Sequence, residues 1–258
     1  MKSISLKFGL FILLAGGISM SSCETNADLS AGMTANLVTV DDEGTTLINA
    51  VDLKSLTTGS DEITESQAGW LKFMREEEKL ARDLYLALSA DYTIPAFKNI
   101  ARAEQNHMNA VLTVLSIYAI EDPASPENGV FSNPELQALY NNLLEKGKIS
   151  LVEALKVGAL VEETDILDLA KVYEMTPGDD LTTLAEALML GSRNHLRAFT
   201  RVLKINGVIY EPVALTLDDY TAIITSGWER GTGLCIGNQS ASGEKYCYRN
   251  GRGFMGGQ

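Results

Sequence analysis

The sequence predicts an all-α fold: a four-helix bundle with a long crossover that carries an extra short helix. Three observations point there. Four stretches of about 24–27 residues repeat apolar side chains at the i, i+3, i+4 spacing of a buried helical face. They fall into two pairs, each joined by a short break, with a long turn-rich connection between the pairs, which is the layout of a bundle with one crossover. No run of strand-period alternation competes with them.

The elements follow in order. Thr64-Glu65-Ser66-Gln67 has the pattern of a capping box, and the first long helix runs from it to about residue 90 before residues 91–95 interrupt it. Pro95 suits the first turn of a second helix, whose inward stripe is Phe97, Ile100, Ala101, Glu104, His107, Met108, Val111, Leu115 and Tyr118. Residues 121–134 are rich in turn formers, and Asn133-Pro134 then caps a shorter helix ending at Gly147. Ser150-Leu151-Val152-Glu153 repeats the capping-box pattern. The third long helix presents Leu155, Gly158, Ala159, Glu162, Asp165, Ile166, Leu169 and Tyr173. Thr176-Pro177-Gly178-Asp179 breaks the chain before a fourth helix over 180–205, with stripe Leu181, Leu184, Ala185, Leu188, Ser192, His195, Phe199 and Val202. Beyond residue 206 only 217–225 reads as a helix, and 227–258 are Gly-rich.

The chain divides accordingly into a signal segment (1–22), a flexible tether (23–63) with a short strand near 37–40, the bundle (64–213), and a short helix with a Gly-rich tail (214–258). Lys2 and Lys7 precede an apolar run over 8–20 that is too short to span a bilayer comfortably. The run ends at Ser21-Ser22-Cys23, which resembles the lipobox of bacterial lipoproteins, with Met20 where Leu is usual. The resemblance implies a lipidated Cys23 and a place in the bacterial cell envelope. An ordinary secretory signal is the alternative, and either puts the mature chain outside the cytoplasm.

Removing 1–22 deletes two lysines and no acid, taking the net charge from −13 to −15. So acidic a chain does not hold nucleic acid through phosphates. Anionic lipid repels it too, which leaves the acyl anchor as its membrane link. With Cys23 assigned, Cys235 and Cys247 are an even pair in an oxidising compartment, and a disulfide between them is expected.

Both histidines lie on amphipathic helical stretches. Glu104-x-x-His107 puts a carboxylate and an imidazole on one helical face, where both reach one metal ion. Glu162 and Asp165 share a face of the third helix, and His195 lies inside the fourth stripe. A lone histidine on an apolar face is ordinarily a hydrogen-bonded core residue. Isolated buried carboxylates are costly, however, and divalent cations neutralise them. The first helix offers Glu76, Glu77 and Glu78 in a row. On a helical wheel Glu77 falls near the middle of the apolar arc and Glu78 at its edge beside Leu71 and Tyr85, so the wheel leaves the choice open. Arg193, Arg197 and Arg201 recur at i+4 and read as a solvated or partner-pairing face.

Glu78-x-x-Ala81-Arg82-x-x-Tyr85 resembles the first-helix signature of ferritins and rubrerythrins, and Glu104-x-x-His107 resembles the second-helix motif of that ferritin-like superfamily. Glu162-x-x-Asp165 is similar to the paired third-helix carboxylates of rubrerythrins. The fourth helix departs from the pattern, with Ser192-Arg193-Asn194-His195 where Glu-x-x-His is usual. More narrowly, the segments around 76–83, 158–165 and 191–199 look like an uncharacterised ferritin-like family, DUF2202.

The resemblance implies Glu78 as the first-helix ligand and Glu77 as the reserve. It also implies a di-metal site of Glu78, Glu104, His107, Glu162, Asp165 and His195, with Asp165 making up for Ser192. Two irons are the expected cofactor, and manganese or zinc would also suit the donors. The implied activity is that of a peroxidase or ferroxidase, and homo-oligomers are compatible with it. No Cys-x-x-Cys pair supplies a built-in electron-donor centre, so catalysis needs an external reductant. The alternative is a non-catalytic metal-binding or structural envelope lipoprotein.

Overall fold

The computed structural model describes residues 37–40, 46–49, 52–53 and 62–229. The expected signal segment, Cys23, Cys235 and Cys247 lie outside the described residues.

The described chain is mostly helical. Its helices are α1 (Glu65–Asp91), α2 (Pro95–Ile117), α3 (Pro134–Gly147), α4 (Leu151–Ala170), α5 (Asp179–Ile205) and α6 (Leu217–Thr225). The starts are set where the sequence indicates. Thr64 and Gln67 close a reciprocal capping box, with Thr64 Oγ1 accepting from the Gln67 amide and Gln67 Oε1 from the Thr64 amide. Asn133 caps α3 through the amides of Glu135 and Leu136. At α4 only half of the expected box forms: Ser150 caps the Glu153 amide, while the Glu153 carboxylate pairs with Lys156 at 2.9 Å. The third helical stripe also ends early, because α4 passes into a 3-10 turn over Lys171–Met175 and leaves Tyr173 exposed.

α1 packs along α2 and α4 along α5, and the two pairs meet through α1 against α4 and α2 against α5. Gly158 permits the second pairing: a Cβ there would lie 2.6 Å from the Phe199 ring. Trp70 fixes α1 on α4 by donating from its indole nitrogen to the Asp168 carbonyl at 3.1 Å.

Two apolar clusters fill the interior. One gathers Leu84, Tyr85, Phe97, Leu155, Leu196 and Phe199; the other gathers Trp70, Met74, Val111, Leu115, Leu184 and Leu188. On three of the long helices buried polar residues fall between the two clusters in sequence, Glu78, Glu104 with His107, and Ser192 with His195, while on α4 Glu162 and Asp165 lie between Val161 and Ile166 of the first cluster. The fold thus sandwiches one polar layer between two oily ones.

Two departures from expectation concern the ends. Val38–Val40 pairs antiparallel with Thr46–Ile48, Val38 facing Ile48, and Leu37, Val38, Ile48 and Leu53 are buried in the second cluster. This part of the expected tether therefore belongs to the folded unit, because alternate residues of the hairpin are apolar and cover α2. At the other end, Tyr210, Leu215 and Tyr220 join the first cluster, so the segment after α5 also docks.

Candidate metal centre

The polar layer brings together five of the six expected ligands. Glu78, Glu104 and His107 offer one set of donor atoms, and Glu104, Glu162 and His195 a second, the atoms of each set all within 4.8 Å of one another. Glu104 is common to both. His107 Nδ1 lies 3.1 Å from Glu78 Oε2 and 2.9 Å from Glu104 Oε2. His195 Nδ1 lies 2.8 Å from Glu104 Oε1 and 3.3 Å from Glu162 Oε2. The two imidazoles stack with centroids 5.4 Å apart.

His107 Nδ1 is hydrogen-bonded to Glu78 Oε2, but other donor atoms of the layer are left without a partner. His195 Nδ1 and Glu104 Oε1 are only 2.8 Å apart, yet neither is hydrogen-bonded. Glu78 Oε1 is likewise buried without a partner. Buried polar atoms are nearly always satisfied, so a concentration of orphans in one layer marks a ligand site. Carboxylates with imidazoles suit iron, manganese or zinc.

The electrostatics agree. Burial opposes ionisation of Glu104, but the charges of His195 and His107 hold its carboxyl far below the ordinary range. Burial disfavours charge on the imidazoles too, and the carboxylates override it. Glu78 and Glu104 raise His107 well above its usual value, and Glu104 and Glu162 push His195 up to about 10. Burial raises Glu78 to about 7 despite His107 beside it. Without a metal, the imidazolium protons supply the positive charge that the carboxylates need.

Asp165 stands apart from both donor sets. One of its oxygens accepts from Ser192 Oγ, and its Oδ1 has no hydrogen-bond partner. Burial, with Glu78 and Glu162 nearby, raises its carboxyl well above the usual range. Tyr85, by contrast, is tied to the centre, donating to Glu162 Oε1 at 2.5 Å. Its ring packs on Phe199 and Phe97 at centroid distances of 5.1 and 6.4 Å, which seals that side with aromatic surface.

The neighbouring acids have other work. Glu76 accepts from the amides of Ser132 and Asn133 and pins the crossover at 2.5 and 3.0 Å. Glu163 accepts from the amides of Val213, Ala214 and Leu215, anchoring the segment after α5. Burial, with the charges of Asp165 and Asp168 of α4 nearby, raises the Glu77 carboxyl well above its usual range. Of the three arginines expected on a solvated or partner-pairing face Arg201 is exposed, whereas Arg193 and Arg197 turn to an acid of the same chain. Both clamp Glu229, at 2.6 and 2.8 Å, and Asn194 exchanges hydrogen bonds with the Glu229 backbone. A carboxylate carried in by the C-terminal segment draws these arginines inward, and only distant residues could reveal that.

Residues 67–227 match the family described as "Uncharacterized protein domain (DUF2202)". The chain belongs to the DUF2202 family. It is 49% identical over 170 residues to Uncharacterized protein MJ0754 of Methanocaldococcus jannaschii, a match spanning 66% of this chain and 92% of that relative. The crystal structure of hypothetical protein MJ0754 from Methanococcus jannaschii DSM 2661 is similar to it with a TM-score of 0.65 and 47% identity, covering 66% of this chain and 98% of that one. The DUF2202 stretch contains both donor sets, from Glu78 to His195, whereas the β-hairpin precedes it.

Proposed function

We propose that this DUF2202 protein is a ferritin-like four-helix bundle with a di-iron centre, acting as a peroxidase or ferroxidase and lipid-anchored in the bacterial cell envelope, outside the cytoplasm. The observation that carries the reading is the pair of donor sets joined through Glu104. Glu78 and His107 would hold one iron and Glu162 and His195 the other, with Glu104 available to both. Two irons bound there would supply the electrons and Lewis acidity that reduce oxygen or peroxide.

The chain's own residues prepare that chemistry. Both histidines and Glu78, Glu104 and Glu162 are almost wholly buried, so bulk water does not compete for the donors. Tyr85 orients Glu162 through its short hydrogen bond, as outer-shell partners do for metal ligands. The electrons for each cycle come from an external donor, because the three cysteines, Cys23, Cys235 and Cys247, form no Cys-x-x-Cys pair. Lipidation at Cys23 supplies the membrane link. Among the described residues no helix is long and apolar enough to cross a membrane.

Protein loaded with Fe(II) under anaerobic conditions, then mixed with hydrogen peroxide, tests the reading. It predicts two irons per chain, rapid Fe(II) oxidation and repeated peroxide consumption when an electron donor is added. Stoichiometric binding without turnover would favour the non-catalytic envelope lipoprotein, and no stoichiometric binding a purely structural one.

A further inference from the structure

The two donor sets are backed by different parts of the chain. Beside Glu78, the buried Lys79 donates to the Glu127 carbonyl of the crossover at 2.7 Å. Beside Glu162 and His195, the residues Glu163 and Asn194 are wholly buried and bind the segment after α5 instead. Glu163 accepts from the amides of Val213, Ala214 and Leu215 at 3.0, 2.7 and 2.8 Å. Asn194 donates to the Glu229 carbonyl at 2.9 Å and accepts from the Glu229 amide at 3.0 Å.

The Glu229 side chain completes the second attachment. It pairs with Arg193 and Arg197 at 2.6 and 2.8 Å, and Arg197 also donates to the Ile223 carbonyl and to Ser226 Oγ. Glu229 lies just beyond the residues that match DUF2202. Consecutive residues of a helix are joined by a planar peptide unit and stand about 100° apart around the axis. A neighbour pinned from outside therefore fixes the rotation of the helix at that level, and with it the origin of the ligand side chain. Metal ligands tolerate displacements of only about 0.5 Å.

We propose that residues 213–229 are a positioning clamp for one metal position, that of Glu162 and His195, and that metal binding there and docking of the segment strengthen each other. Glu163, Asn194 and Glu229 are the positioning residues, and none belongs to either donor set. The crossover backs the other position, so the two ions are supported separately. The clamp rests on the two-metal reading of the centre.

Hydrogen exchange of the full chain, read by mass spectrometry with and without Mn(II), provides the test. Mn(II) should slow exchange over 213–229 by about fivefold or more in wild type and in His107→Ala, and not in His195→Ala. Equilibrium dialysis supplies the converse. Glu229→Ala should weaken the ion left in His107→Ala by about fivefold or more, and the ion left in His195→Ala by less than about twofold. Equal weakening of both ions would make the segment a general support of the fold and overturn the clamp. Exchange that ignores Mn(II), or protection that survives in His195→Ala, would overturn it too, and neither readout requires Glu229→Ala to fold. Wild type that binds no Mn(II) at all would defeat the two-metal reading, and the clamp with it.

Discussion

The hydroxyl of Ser192 donates to the carboxylate of Asp165, joining α5 to α4 beside the candidate metal centre. Ser192 is in neither donor set, and Glu104 is the carboxylate common to both. Ser192→Ala should leave the ion count of the central pair unchanged. It should destabilise the fold by about 1–3 kcal/mol, because a buried carboxylate loses its donor. Denaturant unfolding and elemental analysis of the same sample check both halves.

Glu104 and Glu78 should differ in consequence. Glu104→Gln weakens both positions, whereas Glu78→Gln weakens one. Calorimetric titration with Mn(II) reads this directly. Loss of the same number of ions in the two variants would contradict the sharing of Glu104.

Metal binding should release protons. His107 and His195 are held protonated by neighbouring carboxylates, His195 up to about 10, and only a neutral imidazole binds metal. At neutral pH each entering cation thus displaces an imidazolium proton. Affinity should rise as pH increases toward 10, where His195 loses its proton unaided, and fall in acid. Titration in buffers of different ionisation enthalpy measures the proton count, and a pH-independent affinity would rule the linkage out.

Chelation should lower the melting temperature. Buried carboxylates repel one another, and an ion bound only by the folded chain stabilises it by about 2.7 kcal/mol at a free concentration of 100 Kd. Unchanged melting after verified metal removal would indicate that the imidazolium protons alone hold the layer together.

Gly158→Ala should cost about 1–3 kcal/mol by overpacking α4 against α5, since the new methyl would meet the Phe199 ring at 2.6 Å. Phe199→Leu in the same chain should recover part of the loss. Thermal melts of the single and double variants provide the comparison.

Much of this was legible in the sequence, because helices are specified locally. Apolar spacing located the long helices, and Thr64, Asn133 and Ser150 marked starts by side-chain chemistry that acts within four residues. Glu104-x-x-His107 was readable for the same reason, one turn bringing both donors to one face. Which of three adjacent glutamates points inward was not decided by local rules. Glu76 is drawn to the crossover amides and Glu78 to His107, and each partner lies on another element. The separation of Asp165 from the donor sets, the inward turn of Arg193 and Arg197 toward Glu229, and the docking of the hairpin share that cause. Local periodicity determined which residues form helices. Only packing between helices decided which buried charge faces which, because burial makes each carboxylate depend on whichever donor the tertiary fold brings to it.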